Sequence, residues 1–297
     1  MTTHGDIAGR TFVVTGASNG LGLATAQALA ERGGHVVLAV RDERKGREAQ
    51  AALTGGTSEV RRVDLADLDD VRAFAAGLDR VDVLINNAGV MAPPFTLSKQ
   101  GYELQLAVNH LAHFALTGLL LDRLAAGTGP RVVTVSSVLH KNGRLDFDDL
   151  NAERRYRATA AYNNSKLANA VFGLELHRRL TAAGSPVRSI LAHPGYAVTG
   201  LQAGVQPGLY RTLLTRIGNP LIAVSAEQGA RPTVHAATAP GVESGQFIGP
   251  GGPGGMRGAP AVVRPAPVAT DPGTGHRLWS VSEELTGVRF PLPQPTA

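Results

Sequence analysis

Cysteine is missing from all 297 residues. That excludes a disulfide framework, a thiolate nucleophile and any cysteine-based metal site. Aromatic residues are scarce, at 5% with a single Trp, and no run of Lys and Arg is interleaved with them, so nothing here suits a nucleic-acid surface. Long hydrophobic runs are absent too. Met1–Arg10 holds no apolar stretch that would serve as a secretory signal. The most lipophilic window, Leu111–Leu121, is interrupted by His113 and reads as a buried helix too short to cross a bilayer. A cytoplasmic chain without a transmembrane segment is expected. The nine histidines show no ligand spacing: His110 and His113 stand three apart, which suits packing and hydrogen bonding, but no third ligand accompanies them, so no metal is expected.

What is present suits one large α/β domain, with 43% apolar and 18% charged residues. The net charge of +5 reads as an Arg-rich surface, with a bias that favours a phosphorylated ligand. Short β-rich runs, Thr11–Thr15, His35–Val40, Glu59–Val63, Val81–Asn86, Arg131–Ser136, Val187–Ala192 and Gln246–Ile248, alternate with helical stretches. These are Leu21–Arg32, Glu43–Leu53, Asp67–Gly77, Lys99–Ala126, Ala160–Ala183 and Ala226–Ala237. Several strands are apolar almost throughout, as when helices cover both faces of a parallel sheet. The pattern predicts a doubly wound parallel sheet of about seven strands with helices on both faces, a Rossmann-type domain. Its core spans residues 9–250, and 251–297 reads as an irregular extension with one short helix at His276–Leu285. Ser225 and Gln228 form a capping box, and Pro232 predicts a kink or a late start in the helix that follows.

Between the first strand and the first helix stands Thr15-Gly16-Ala17-Ser18-Asn19-Gly20-Leu21-Gly22. A diphosphate needs backbone N–H groups and the positive end of a helix dipole, and side chains would block that approach. Glycines in this first βα turn therefore point to a dinucleotide. The second strand ends Val40-Arg41-Asp42. An acid at Val40 would bind the ribose 2′-hydroxyl of NAD; Arg41 instead offers a guanidinium to the 2′-phosphate of NADP. The competing reading makes Arg41 a solvated surface residue and gives Asp42 to the ribose. NADP(H) is the expected cofactor ahead of NAD(H). Tyr162 and Lys166 stand at i and i+4 of a helix, hence on one face, where an ammonium favours the phenolate and lowers the phenol pKa.

Three further features join these: Asn86-Asn87-Ala88-Gly89 after the fourth strand, Ser136-Ser137 after the fifth, and Tyr162-Asn163-Asn164-Ser165-Lys166 opening a long helix. With the glycine-rich turn they resemble the short-chain dehydrogenase/reductase family, over about Gly9 to Ile248. Asn109-His110-Leu111-Ala112-His113-Phe114, the acidic Leu145–Leu150 insert and Glu175–Leu180 are similar to its retinol-dehydrogenase-like and WW-domain oxidoreductase branch. The resemblance implies hydride transfer between an alcohol and a carbonyl compound, with Asn109, Ser137, Tyr162 and Lys166 catalytic. Ser136 competes with Ser137, and Asn109 is alternatively a polar residue satisfying a helix kink. The resemblance also places Asp64 and Leu65 at the adenine, Asn87, Ala88 and Gly89 along its ribose, and Lys166 on the nicotinamide ribose. Pro194, Gly195, Val198 and Thr199 fall at the carboxamide and diphosphate. A homodimer or homotetramer through the helices at Lys99–Ala126 and Ala160–Ala183 is implied, although a monomer also suits this branch.

Ser137 and Tyr162 are 25 residues apart, which predicts a loop that helps to shape the substrate pocket. The segment 200–220 and the tail after Gly249 are expected as pocket walls, and Leu201, Leu209, Leu213 and Leu214 point either to a lipophilic alcohol or carbonyl substrate or to packing on the domain. His140 and His193 are expected near the substrate mouth without a catalytic role. Two other classes remain open. A non-catalytic NADP-binding sensor has no need of the Ser, Tyr and Lys set, and a methyltransferase using S-adenosylmethionine needs an acid at Val40.

Overall fold

The computed structural model describes residues 7–195 and 225–292. Eight strands form one sheet in the order β3-β2-β1-β4-β5-β6-β7-β8. The first seven are parallel: β1 (Thr11–Thr15), β2 (His35–Val40), β3 (Thr57–Arg62), β4 (Val83–Asn86), β5 (Arg131–Val135), β6 (Arg188–Ala192) and β7 (Phe247–Pro250). Between them run α1 (Gly20–Ala30), α2 (Glu43–Ala52), α3 (Leu68–Ala76), α4 (Leu104–Ala125), α5 (Ala158–Ala182) and α6 (Ala226–Thr238). Successive strand residues point to opposite faces. Phe12 and Val14 of β1 enter a core with Leu29 of α1 and Ala236 of α6, while Val13 enters the other core with Val71, Phe114 and Leu176 of α3, α4 and α5. Strand order reverses at β1, which pairs with β2 on one side and β4 on the other, and so a ligand crevice opens at the carboxyl ends of these strands.

The eighth strand departs from the expected seven. β8 (Pro260–Val262) pairs antiparallel with β7 inside the stretch that reads as an irregular extension. It is short and begins on a proline, which the free side of an edge strand tolerates. α6 runs unbroken through Pro232, without the late start that residue suggested, and Ser225 Oγ caps it by accepting from Gln228 N at 3.3 Å. Within α4, Ala107–Leu111 forms a π-helical turn. This helix begins five residues after the expected Lys99 and is long and apolar enough to span a bilayer, but 89% of its most apolar window is buried within the fold.

Beyond β8 follow α7 (Pro267–Thr270) and α8 (Pro272–Thr286). Asp271 caps α8 through Thr274 N at 2.7 Å, Pro272 fills its first position and Gly287 closes it in the left-handed region. α8 lies on α4 and α5, the pair expected to meet a second subunit. Trp279, Val288 and Phe290 pack on Phe114 and Phe172, with Trp279 and Phe290 centroids 4.4 Å apart. Buried Glu175 of α5 accepts from Arg178 and Arg179, and His276 of α8 lies 3.5 Å from it.

Candidate active site

The turn after β1 and the turn after β4 are built as one unit. Thr15 Oγ1 accepts from the backbone N–H of Asn87 and of Ala88, each at 2.9 Å, and Asn87 Nδ2 donates to Thr15 O at 2.8 Å. Gly16 takes φ +67°. A Cβ on Gly22 would lie 2.3 Å from Gly16 O and 2.7 Å from Asn87 Nδ2, so only glycine fits there. The start of α1 has no acidic side chain in its first turn and no side chain capping it, which leaves its positive end available to an anion.

A cavity of about 790 Å³ extends from these turns. Gly16, Ser18, Asn19, Gly20, Leu21 and Gly22 line its middle, with Asn87, Ala88 and Gly89 beside them. At one end are Arg41, Asp42, Lys45, Asp64 and Leu65. Val40, in the position where an acid would mark NAD, is buried and apolar. Asp42, the competing ribose acceptor, caps α2 through Lys45 N at 3.1 Å, and this bond leads the causes that hold its carboxyl below the ordinary range.

At the other end are Ser136, Ser137, Tyr162, Lys166, Pro194 and Gly195. Ser136 Oγ donates to Lys166 O at 2.7 Å and is occupied there, whereas Ser137 Oγ accepts from Leu139 N at 3.2 Å and its hydroxyl acts on the Tyr162 phenol, lowering it. Lys166 Nζ donates to Val135 O at 3.2 Å and lies 5.8 Å from the Tyr162 ring centre. Asn109 does not line the cavity. It sits fully buried behind it, in the π turn, where Nδ2 donates to Ser165 Oγ at 2.8 Å and to Val90 O at 3.0 Å, and Oδ1 accepts from Val90 N at 2.7 Å. It thereby fastens the segment after β4 to α5 next to Lys166. Val198, Thr199, Leu201, Leu209, Leu213 and Leu214 lie outside the described residues.

Comparison with known proteins agrees with this geometry. The family model of short chain dehydrogenases matches residues 10–209. The chain belongs to the short-chain dehydrogenase family. Human retinol dehydrogenase 13 is 41% identical over 96% of this chain and 87% of its own length. Among solved structures, an uncharacterised protein from Mycobacterium paratuberculosis is similar at TM-score 0.83 and 46% identity, over 97% of each chain. A gluconate 5-dehydrogenase-like protein from Beutenbergia cavernae, described as NAD(P) dependent and with bound NADP, is similar at TM-score 0.61 and 31% identity, over 78% of this chain and 91% of that one. This short-chain dehydrogenase is therefore an oxidoreductase of the retinol-dehydrogenase-like branch, with a Rossmann nucleotide-binding sheet.

Several details of this dehydrogenase differ from what its sequence suggests. Burial pushes the Tyr162 phenol up to about 12, against a smaller opposing effect of the Ser137 bond, and pushes the Lys166 ammonium down to about 8. The expected lowering of the phenol by Lys166 does not contribute: desolvation governs the phenol, and only Ser137 opposes it. The long Ser137–Tyr162 connection adds only Val138 and Leu139 to the cavity wall; Arg144, Asp146, Asp149 and Arg155 line a separate cleft of about 60 Å³. His140 and His193 are buried and line neither space, but each sits directly behind the cavity wall: His140 bonds the backbone of Ser137, and His193 Nδ1 accepts from Gly195 N at 3.2 Å. Met256 and Lys45 are among the wall residues not marked from the sequence. Met256 reaches the cavity from the Gly- and Pro-rich loop, with no sequence signal. Lys45 stands in the first turn of α2, where the helix dipole disfavours a cation, and that placement is a legible sign of an anion.

Proposed function

We propose that this short-chain dehydrogenase transfers a hydride between NADP(H) and an apolar alcohol or carbonyl compound, with Tyr162 as proton carrier. The observation that supports it is a single cavity with two cations at one end, glycine turns in the middle, and Ser137, Tyr162 and Lys166 at the other. The bound nicotinamide dinucleotide supplies or accepts the hydride. The glycine cradle, into which a Cβ would not fit, suits its diphosphate, and Arg41 with Lys45 suits a 2′-phosphate. Asp64 and Leu65 would hold the adenine, Asn87, Ala88 and Gly89 its ribose, and Lys166 with Pro194 and Gly195 the nicotinamide side. Ser137 orients the substrate oxygen. Tyr162, protonated at neutral pH, gives its proton to that oxygen during reduction and takes it back during oxidation. Asn109 holds Lys166 and the Val90 segment in register. Met91, Leu104, Val108, Leu139 and Met256 give the cavity apolar walls, which favours a lipophilic substrate and agrees with the retinol in the human relative's name.

Calorimetric titration tests the cofactor. Wild type is expected to bind NADPH at least about tenfold more tightly than NADH, as one charge-assisted phosphate contact is worth about 1.5 kcal/mol or more. Arg41→Ala with Lys45→Ala removes that preference; equal affinities in wild type would overturn it. On a panel of carbonyl compounds, Tyr162→Phe is expected to lower kcat by about 10²–10⁴-fold while NADPH still binds. Turnover of polar sugars alone would refute the apolar substrate.

A further inference from the structure

His140 stands three residues beyond Ser137, in a 3-10 turn over Val138–Asn142, and is 1% exposed. Neither the cavity wall nor the chemistry above uses it. Its Nδ1 lies 2.6 Å from the backbone oxygen of Ser137, and its Nε2 lies 2.9 Å from the backbone nitrogen of Ala266. A carbonyl oxygen only accepts and an amide N–H only donates. Nδ1 therefore carries the proton and Nε2 is bare: the ring is neutral and held in one tautomer by two backbone partners 129 positions apart, Ser137 and Ala266. The ring also packs against Phe247 of β7, with centroids 5.3 Å apart.

Ser137 leaves the sheet at the end of β5, where Ser136 N donates to Ala192 O at 2.8 Å. From there on, the backbone of Ser137 is held by the hydrogen bond from His140 to its carbonyl, together with the bond from His140 N to the same oxygen at 3.1 Å. Ser137 Oγ already accepts from Leu139 N at 3.2 Å, and its own O–H acts on Tyr162 beside it in the cavity wall. A shift of the Ser137 carbonyl turns this hydroxyl away. Ala266 lies in the segment between β8 and α7, outside the parallel sheet. We propose that His140 is a positioning residue for Ser137, and that through it the C-terminal segment at Ala266 props the substrate end of the site. The inference rests on the reading of Ser137 as the residue that orients the substrate oxygen.

The test compares His140→Phe, which keeps a ring against Phe247 and loses both bonds, with His140→Asn, whose amide restores a donor at the Nδ1 position. Ser137→Ala serves as the reference. A misplacement of about 1 Å costs on the order of 10²-fold in rate. His140→Phe is expected to lower kcat by about 10–100-fold with the NADPH Kd within about twofold of wild type, and His140→Asn to recover most of the loss. A purely structural role moves kcat and Kd together, which would overturn the proposal, as would an unchanged kcat in folded His140→Phe. If His140→Phe does not fold, His140→Asn and nitrogen-15 NMR of the wild-type imidazoles decide. A bare Nε2 on His140 with a modest kcat loss in His140→Asn supports the proposal, and a protonated Nε2 refutes it. Full turnover by Ser137→Ala would instead remove the underlying reading of the site; loss there without loss in His140→Phe removes this inference alone.

Discussion

Burial governs the two ionisable groups at the centre of the site, and it acts on them in opposite senses. It raises the Tyr162 phenol to about 12 and lowers the Lys166 ammonium to about 8, because each desolvated group is driven to its neutral form. At pH 7 the free protein therefore holds a proton on both, the arrangement that reduction of a carbonyl needs. As pH rises through about 8, Lys166 loses its charge, and with it the hold on the nicotinamide ribose that the proposed function gives it. The quantity kcat/KM for NADPH reports ionisations of the free enzyme. It is expected to be level from pH 6.5 to 7.5 and to fall above pH 8 by about tenfold per unit. A level profile up to pH 10 would show that Lys166 keeps its proton or does not act on the cofactor.

At the scale of elements, the strand–turn–helix unit of β1 and α1 depends on backbones brought into contact. The missing Cβ of Gly22 makes room for Gly16 O and Asn87 Nδ2, and backbone cannot retreat as a flexible side chain can. Gly22→Ala is expected to cost about 1–3 kcal/mol, as overpacking does. Thermal unfolding and NADPH titration should both register it, whereas Gly184→Ala, at a site with no atom within 4 Å, should leave NADPH binding unchanged. Undiminished affinity in Gly22→Ala would remove the close-approach argument. This unit was legible because its reasons are local: β1 and β2 match their expected limits residue for residue, each an apolar run covered on both faces. β3 starts two residues before its expected limit and ends one before it because Thr-Ser-Glu-Val-Arg-Arg carries little apolar pattern. The cap, proline and glycine that bound α8 are all present in Asp271, Pro272 and Gly287, yet apolar periodicity alone begins at His276. The π turn around Asn109 shifts the helical period by one residue, too little to read in a single sequence. The pairing of β8 and the bond from Ala266 to His140 are decided by tertiary contact, and no local signal carries them.

Across the whole molecule, two consequences follow from what is buried. His110, His113 and His193 are held down to about 3, 4 and 4 by desolvation. Each is neutral in the fold and titrates at its ordinary 6.5 once unfolded, so the unfolded chain binds more protons between these values. Stability is then full above pH 6.5 and falls as pH drops toward 4, each group adding about 1.4 kcal/mol per unit. Acid unfolding followed by circular dichroism should begin near pH 5; a fold intact to pH 3.5 would show that these imidazoles are not held neutral. The second consequence concerns assembly. α4 and α5 are the surfaces expected to join subunits, and the chain's own α8 and the 287–292 segment already occupy them. A Cβ on Gly118 of α4 would lie 2.8 Å from both Val288 and Phe290, and Arg179 of α5 lies 4.3 Å from the Trp279 ring centre. A dimer on this face would have to displace an aromatic cluster whose members cost about 3–5 kcal/mol each to remove. Light scattering of wild type is expected to give one chain, 30.9 kDa, over the micromolar range. Trp279→Ala with Phe290→Ala uncovers the face, and that variant should lose stability and self-associate as its concentration rises. A wild-type dimer that crosslinks between α4 and α5 of two chains would mean that α8 yields to a partner, and the C-terminal segment would then be a displaceable cover.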